Sequence, residues 1–202
     1  MNWNKLQEMQ LALDNAILQA KPKMSAEERF NKTCIALSVE VSEIANCSEH
    51  FKFWKDNKGK VDEDRFGKQE MYVDDELVDV NYIEHKTGIT YTFEKAHKLT
   101  LVEETSDCLH FILSLANQLD TEIGGFNLVD TNSNLEIAYS MIQLNISCMN
   151  TLDSSNSHVE TLGIIIDWFY YYISKLGITT QELEQAYYEK NKVNYERLRE
   201  GY

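Results

Sequence analysis

A single proline and eight glycines in 202 residues leave this chain few places to break a helix. Pro22 falls between two stretches whose apolar residues recur every three or four positions, and the same spacing dominates elsewhere. It predicts helices over about 3–20, 26–55, 96–122, 133–151, 158–176 and 179–199. Ser25 followed by Glu28 resembles a capping box, Thr180 can cap the last helix, and Gly177 and the Gly124-Gly125 pair make natural stops. Residues 56–95 depart from the pattern. The stretch 56–69 is polar and contains glycine, and 70–95 turns to β-branched and aromatic alternation. Within it NYIEHKTGITYTFE offers two short strands around Lys86-Thr87-Gly88. The expected fold class is therefore all-α, a helical bundle forming one domain over 1–202, with a small β-hairpin-containing insertion at about 56–95.

Composition narrows the function classes. The formal net charge of -14 argues against nucleic acid or an anionic membrane surface as a partner. A small phosphate substrate stays open, because acidic side chains can hold divalent cations that carry phosphate in with them. The N-terminal stretch MNWNKLQEMQLALDNAI has no basic segment leading into an apolar run. The longest apolar stretch, around 162–176, is broken by Asp167 and is shorter than a membrane span. A cytoplasmic location is the expectation. Cys34, Cys47, Cys108 and Cys148 form no Cys-x-x-Cys pair, so they read as reduced core thiols rather than zinc ligands or a redox couple.

The chemical anomaly lies in ALSVEVSEIANC, residues 36–47. At about 100° per residue, Glu40 and Glu43 project within about 60° of each other, on the same side as Ala36, Leu37, Ile44 and Cys47. In LVEETSDCLHFILSL, Glu104 and Asp107 repeat the spacing, with Leu101, Cys108, Phe111 and Leu115 around Glu104. Glu103 points farther round. Four converging carboxylates repel one another and lose hydration unless cations compensate. Oxygen-only donors favour Mg²⁺ or Mn²⁺ over zinc. Asp107-x-x-His110 faintly matches a di-iron ligand pattern, but His110 lies about 120° from Glu104 on the wheel and reads better as a packing or hydrogen-bonding histidine.

The last helix carries AYYEKNKVNYERLREGY, in which Lys190, Asn194 and Arg197 line one edge with Tyr187 just above them. A solvated helix face is the bland reading. Joined to the carboxylates, the row suits a polyphosphate chain, so the two together suggest phosphoanhydride hydrolysis.

The segments LQEMQLALDNAI, EVSEIAN, FKFW, EETSDCLHFILSL and YYEKNKVNYERLREGY together resemble the dimeric dUTPase family, of bacteriophage type. That resemblance implies an all-α NTP pyrophosphatase type core and hydrolysis of dUTP, with dUDP as a second candidate substrate, and attack at the β-phosphorus of dUTP giving dUMP and pyrophosphate. It implies Mg²⁺ (Mn²⁺ possible) on Glu40, Glu43, Glu104 and Asp107, with Glu40 also positioning water. Lys190, Asn194 and Arg197 would hold phosphates, and Gln10, Trp54 and Phe111 would surround the nucleoside, Phe111 as a stacking platform. Where related chains tend to carry Asn in the first motif, this one offers Asp14 and Asn15. The resemblance further implies a homodimer, with the apolar IIIDWFYYYI at 164–173 as one candidate surface and core packing as the other. Phage dUTPases of this kind can also bind bacterial repressor proteins, for which the insertion is the candidate element. Two other readings remain: an all-α pyrophosphohydrolase for another nucleotide such as dCTP, and a protein-binding regulator on an enzyme scaffold.

Overall fold

The computed structural model describes residues 1–127, 129, 132–151 and 155–201. Its elements are α1 (Trp3–Ala20), α2 (Ala26–Ser48), β1 (Phe66–Val73), β2 (Glu76–Glu84), β3 (Thr90–Tyr91), α3 (Phe93–Gln118), α4 (Leu135–Met149), α5 (Ser155–Lys175) and α6 (Thr180–Arg199). The expected all-α core with a β-containing insertion is what the chain forms.

The bundle is organised around α3, which packs against α1, α2, α5 and α6, while α4 packs on α2 and α5. Leu101, Cys108, Leu109, Ile112, Leu113 and Leu115 are buried around its circumference, as befits a helix enclosed on several sides. Its buried hydroxyls are satisfied locally: Thr100, Thr105 and Ser106 donate to the carbonyls of Ala96, Leu101 and Glu103. Three of the cysteines, Cys34, Cys47 and Cys108, are buried free thiols, and Cys148 is half-buried. Much of IIIDWFYYYI serves this core: Ile165, Phe169, Tyr172 and Ile173 are fully enclosed, whereas Ile164 is exposed. No helix of the described residues is long and apolar enough to cross a membrane.

Several boundaries move, each for a local reason. The α2 helix ends at Ser48 and not near 55, because Glu49 adopts a left-handed conformation, φ 52°. The Glu49 carboxylate is buried and accepts from Lys52, Lys55 and the Gly59 N–H, tying the following loop into a knot that periodicity cannot register. The third helix begins earlier than expected, with Thr92 as its N-cap, and it ends at Gln118, with Asp120 at φ 50° turning the chain several residues before the Gly124-Gly125 pair. The last helix is capped by Thr179, not Thr180, in a reciprocal box with Glu182. At Ser25 only half a box forms, since the Glu28 carboxylate pairs with Lys32 at 2.7 Å.

The insertion is an antiparallel sheet in the order β1-β2-β3. The expected turn at Lys86-Thr87-Gly88 joins β2 to the two-residue β3, with Gly88 at φ 70°. The longer hairpin, β1–β2, turns instead at Asp74-Asp75, both in the positive-φ conformation that a two-residue turn requires. Its first strand, FGKQEMYV, is polar and largely exposed, so no buried-face alternation announces it.

Burial alone would raise the Glu49 carboxyl pKa, but the bonds from Lys52, Lys55 and Gly59 bring it down to about 2. A depressed folded-state pKa contributes stability above the ordinary carboxylate range, lost as pH falls through the depressed value. Glu49→Gln should therefore lower unfolding free energy by about 2 kcal/mol at pH 7. The gap to the parent should close as pH drops from 4.5 toward 2. Thermal unfolding at pH 7, 4 and 3 measures it.

Candidate active site

The carboxylates that periodicity singled out on α2 and α3 face each other where these helices pack. Oxygens of Glu40, Glu104 and Asp107 all lie within 4.8 Å of one another. Burial, then the Asp107 and Glu43 charges, push Glu40 up to about 7 against the pull of Lys190. Burial and Asp107 likewise push Glu104 up to about 7. The Asp107 carboxyl is raised by burial despite the Lys190 ammonium, whose Nζ sits 2.7 Å from Asp107 Oδ2. Near neutrality this cluster holds protons that a divalent cation could replace. An all-oxygen donor set this close fits a hard divalent ion.

Glu43 does not join the trio. It is exposed, and with Asn46, Asp62 and Glu104 it lines a separate small hollow of ≈ 140 Å³. Its expected place on the core side of α2 is corrected by the true stripe, which centres on Leu37, Val41, Ile44 and Ala45. Glu40 flanks that stripe and Glu43 lies nearly opposite it.

A cleft of ≈ 520 Å³ opens from the cluster between α1, α2, α3 and α6. Gln10 and Asp14 of α1, Phe111 of α3, and Asn194 and Arg197 of α6 line it together with Glu40 and Asp107. These expected residues are thus brought to one place. The cationic row divides: Asn194 and Arg197 face the cleft, while Lys190 is already engaged by Asp107 and, at 3.2 Å, by Glu103.

A buried hydrogen-bond network forms one wall. Gln10 Nε2 donates to Asp14 Oδ1 at 2.8 Å, leaving Gln10 Oε1 to accept from the Tyr187 hydroxyl at 3.1 Å and from His110 Nδ1 at 2.7 Å. His110 is buried, and burial followed by the Lys190 charge lowers its pKa to about 3, so it is neutral and donates through Nδ1. It is the hydrogen-bonding histidine expected. Tyr187, expected to touch substrate, is instead fully enclosed and stacks on His110 at 4.2 Å. Its hydroxyl reaches the Gln10 amide oxygen from within the core. Asp14 also accepts from Ser114 at 2.7 Å and Arg29 at 3.1 Å, while Asn15 is exposed. Three donors occupy Asp14, which fixes it as a scaffold acceptor.

Trp54 lies outside the cleft. It is 65% exposed on the loop after α2, edge-on to Phe51 and Phe53. The resemblance implies a place for it beside the nucleoside, but α2 ends at Ser48 and the loop that follows carries the Trp54 ring to the surface. Arg29, Ser114 and Glu103 were missed, because each acts through a partner distant in sequence; the pair Glu103-Glu104 in EET was the one visible hint.

A family model described as dUTPase matches residues 2–95 and 90–202. No match is found among curated proteins. With matches running along nearly the whole chain, and a helical core whose acidic cluster opens onto a nucleotide-sized cleft, the chain belongs to the dUTPase family and is an all-α dUTP diphosphatase.

Proposed function

We propose that the chain hydrolyses dUTP to dUMP and pyrophosphate with Mg²⁺ as its ion, Mn²⁺ being a substitute. The observation that carries this reading is the convergence of Glu40, Glu104 and Asp107 at one end of a cleft bordered by Asn194 and Arg197. Glu40, Glu104 and Asp107 would hold the ion, with Glu43 reaching it from the exposed side. The cation supplies charge neutralisation for the phosphates and a lowered pKa for water. Glu40, whose carboxyl sits near neutrality, orients the attacking water toward the β-phosphorus. Arg197 and Asn194 grip phosphate oxygens, the guanidinium as a planar fork. Phe111 offers a face for uracil, and the network-held Gln10 presents a fixed amide to its polar edge. A diphosphate such as dUDP keeps the β-phosphorus and is a second candidate substrate.

Homodimerisation has support in the apolar side chains left exposed on two helices that pack together, Ile35 and Val39 on α2 and Leu144 on α4. The β1–β2 hairpin shows Met71, Tyr72 and Leu77 to solvent, which supports a second role in engaging a protein such as a repressor. Removing residues 68–82 tests both: dUTP hydrolysis and twice the chain mass in sedimentation should persist, while repressor capture is lost. Unchanged capture would remove the hairpin from the account.

Pyrophosphate release from dUTP, dCTP, dTTP and UTP with Mg²⁺ should favour dUTP by at least about a hundredfold. In the same assay Glu40→Gln, Glu43→Gln and Asp107→Asn should each cut turnover by about two orders of magnitude or more while the fold persists. Equal rates across the four nucleotides, or near-normal turnover in the variants, would refute the assignment.

Because Glu40 and Glu104 are raised to about 7, both are mostly protonated below that value and must ionise to bind a cation. Mn²⁺ affinity should therefore strengthen about tenfold or more from pH 6 to pH 8, with protons released on binding. Calorimetry in two buffers of different ionisation enthalpy reads both quantities, and a flat affinity would contradict the proposed ligands.

A further inference from the structure

The insertion reaches the carboxylate cluster through a continuous line of charged contacts. Arg65, at the base of β1, gives Nε and Nη2 to Glu84 Oε1 at 2.9 and 2.8 Å. Thr87 donates to the other Glu84 oxygen at 2.6 Å. The remaining arm, Nη1, meets Glu103 Oε2 at 2.9 Å. Glu103 in turn uses Oε1 to hold Lys190 Nζ at 3.2 Å, and that ammonium lies 2.7 Å from Asp107. Lys190 is nearly enclosed, with 11% of its side chain exposed, whereas Glu103 is 34% exposed and would sample several rotamers unless gripped.

We propose that Arg65, brought in by the insertion, is a positioning residue for hydrolysis: it fixes Glu103, and Glu103 keeps the Lys190 ammonium beside the carboxylate cluster, ready to pass from Asp107 to a substrate phosphate. This rests on the reading above, in which Asp107 takes up a cation and Lys190 serves phosphate.

The physical argument is one of competing partners. With a divalent ion held by Asp107, the Lys190 ammonium, on its flexible four-carbon stem, would be repelled from that carboxylate and would need another anion. Glu103 is outside the trio and already touches it. Anchored there, Lys190 stays within reach of an incoming polyphosphate instead of losing its place to rotamer freedom. A guanidinium fork suits the task on Glu103 because it engages two carboxylates at once in a fixed plane. Glu84 and Thr87 hold that fork in turn, so the insertion acts as a brace for the site.

The experiment compares Arg65→Met, Glu103→Gln, their double variant and Lys190→Met with the full-length parent. Circular dichroism checks the fold, and dUTP hydrolysis gives KM and kcat separately. Mn²⁺ binding to the substrate-free protein is the independent readout. Lys190→Met should raise KM about tenfold or more. Arg65→Met and Glu103→Gln should each raise KM about five- to tenfold with kcat changed less than about twofold, and the double variant should be no worse than the worse single. Mn²⁺ affinity should move in opposite directions, about threefold tighter in Arg65→Met, which uncovers a negative charge, and about threefold weaker in Glu103→Gln, which removes one. General damage would weaken binding in both. Should Arg65→Met fail to fold, Glu84→Gln carries the same KM prediction at smaller amplitude. If Lys190→Met raises KM but the Arg65 and Glu103 variants leave it unchanged, act additively or shift Mn²⁺ affinity the same way, the positioning role is overturned alone. If Lys190→Met leaves KM unchanged, the phosphate role of Lys190 fails and the brace fails with it.

Discussion

Repulsion among Glu40, Glu104 and Asp107 is the constraint to which the surrounding structure answers. Three carboxylates within 4.8 Å of one another, half-buried between two packed helices, are unstable as free anions. The protein's own reply is Lys190, which neutralises Asp107 yet leaves Glu40 and Glu104 raised to about 7. A fold that selected only for stability would fill this place with apolar side chains, since a half-compensated ionic cluster costs more than it returns. Its presence in a bundle otherwise packed with Leu, Ile and aromatic residues is a stability concession made for chemistry.

The rest of the site serves to hold that concession in place. Because α3 is surrounded by α1, α2, α5 and α6, its backbone cannot relax to separate Glu104 and Asp107 from Glu40. The wall built from Gln10, Asp14, His110, Ser114 and Tyr187 is tied together by buried hydrogen bonds. Gln10, Asp14, Ser114 and the Tyr187 hydroxyl meet named partners, and His110 Nδ1 is committed to Gln10. A cleft framed by hydrogen-bonded polar groups on one side and by Asn194 and Arg197 on the other suits a ligand with a flat base and a flexible charged tail. The insertion adds a further constraint from outside the bundle, since Arg65 touches Glu103 on the same helix that carries the cluster.

How much of this was legible in the sequence depended on whether a feature is local. Helix content, the approximate spans, and the pairing of Glu104 with Asp107 follow from spacing along one segment, and they appear in the structure. Glu40 was legible for the same reason. Glu43 was misplaced because the apolar stripe of α2 was centred one residue set away, and a shift of that size moves a side chain from core to solvent. The helix end at Ser48 was missed because Glu49 terminates it through contacts with Lys52, Lys55 and Gly59. The strand FGKQEMYV, exposed on the hairpin, carries no buried face to betray it.

By itself the sequence determined that the chain would be helical with one β insertion, that acids would meet at an apolar junction, and that basic and amide groups would line the last helix. It could do so because helical periodicity converts spacing into direction. Only the tertiary structure decided which acids converge, that Lys190 spends its charge on Asp107, that Tyr187 supports the wall from inside, and that Trp54 stands apart from the cleft. Those outcomes hinge on contacts between residues far apart along the chain, 177 positions in the case of Tyr187 with Gln10. No periodicity along a single segment encodes the distance across a packed core.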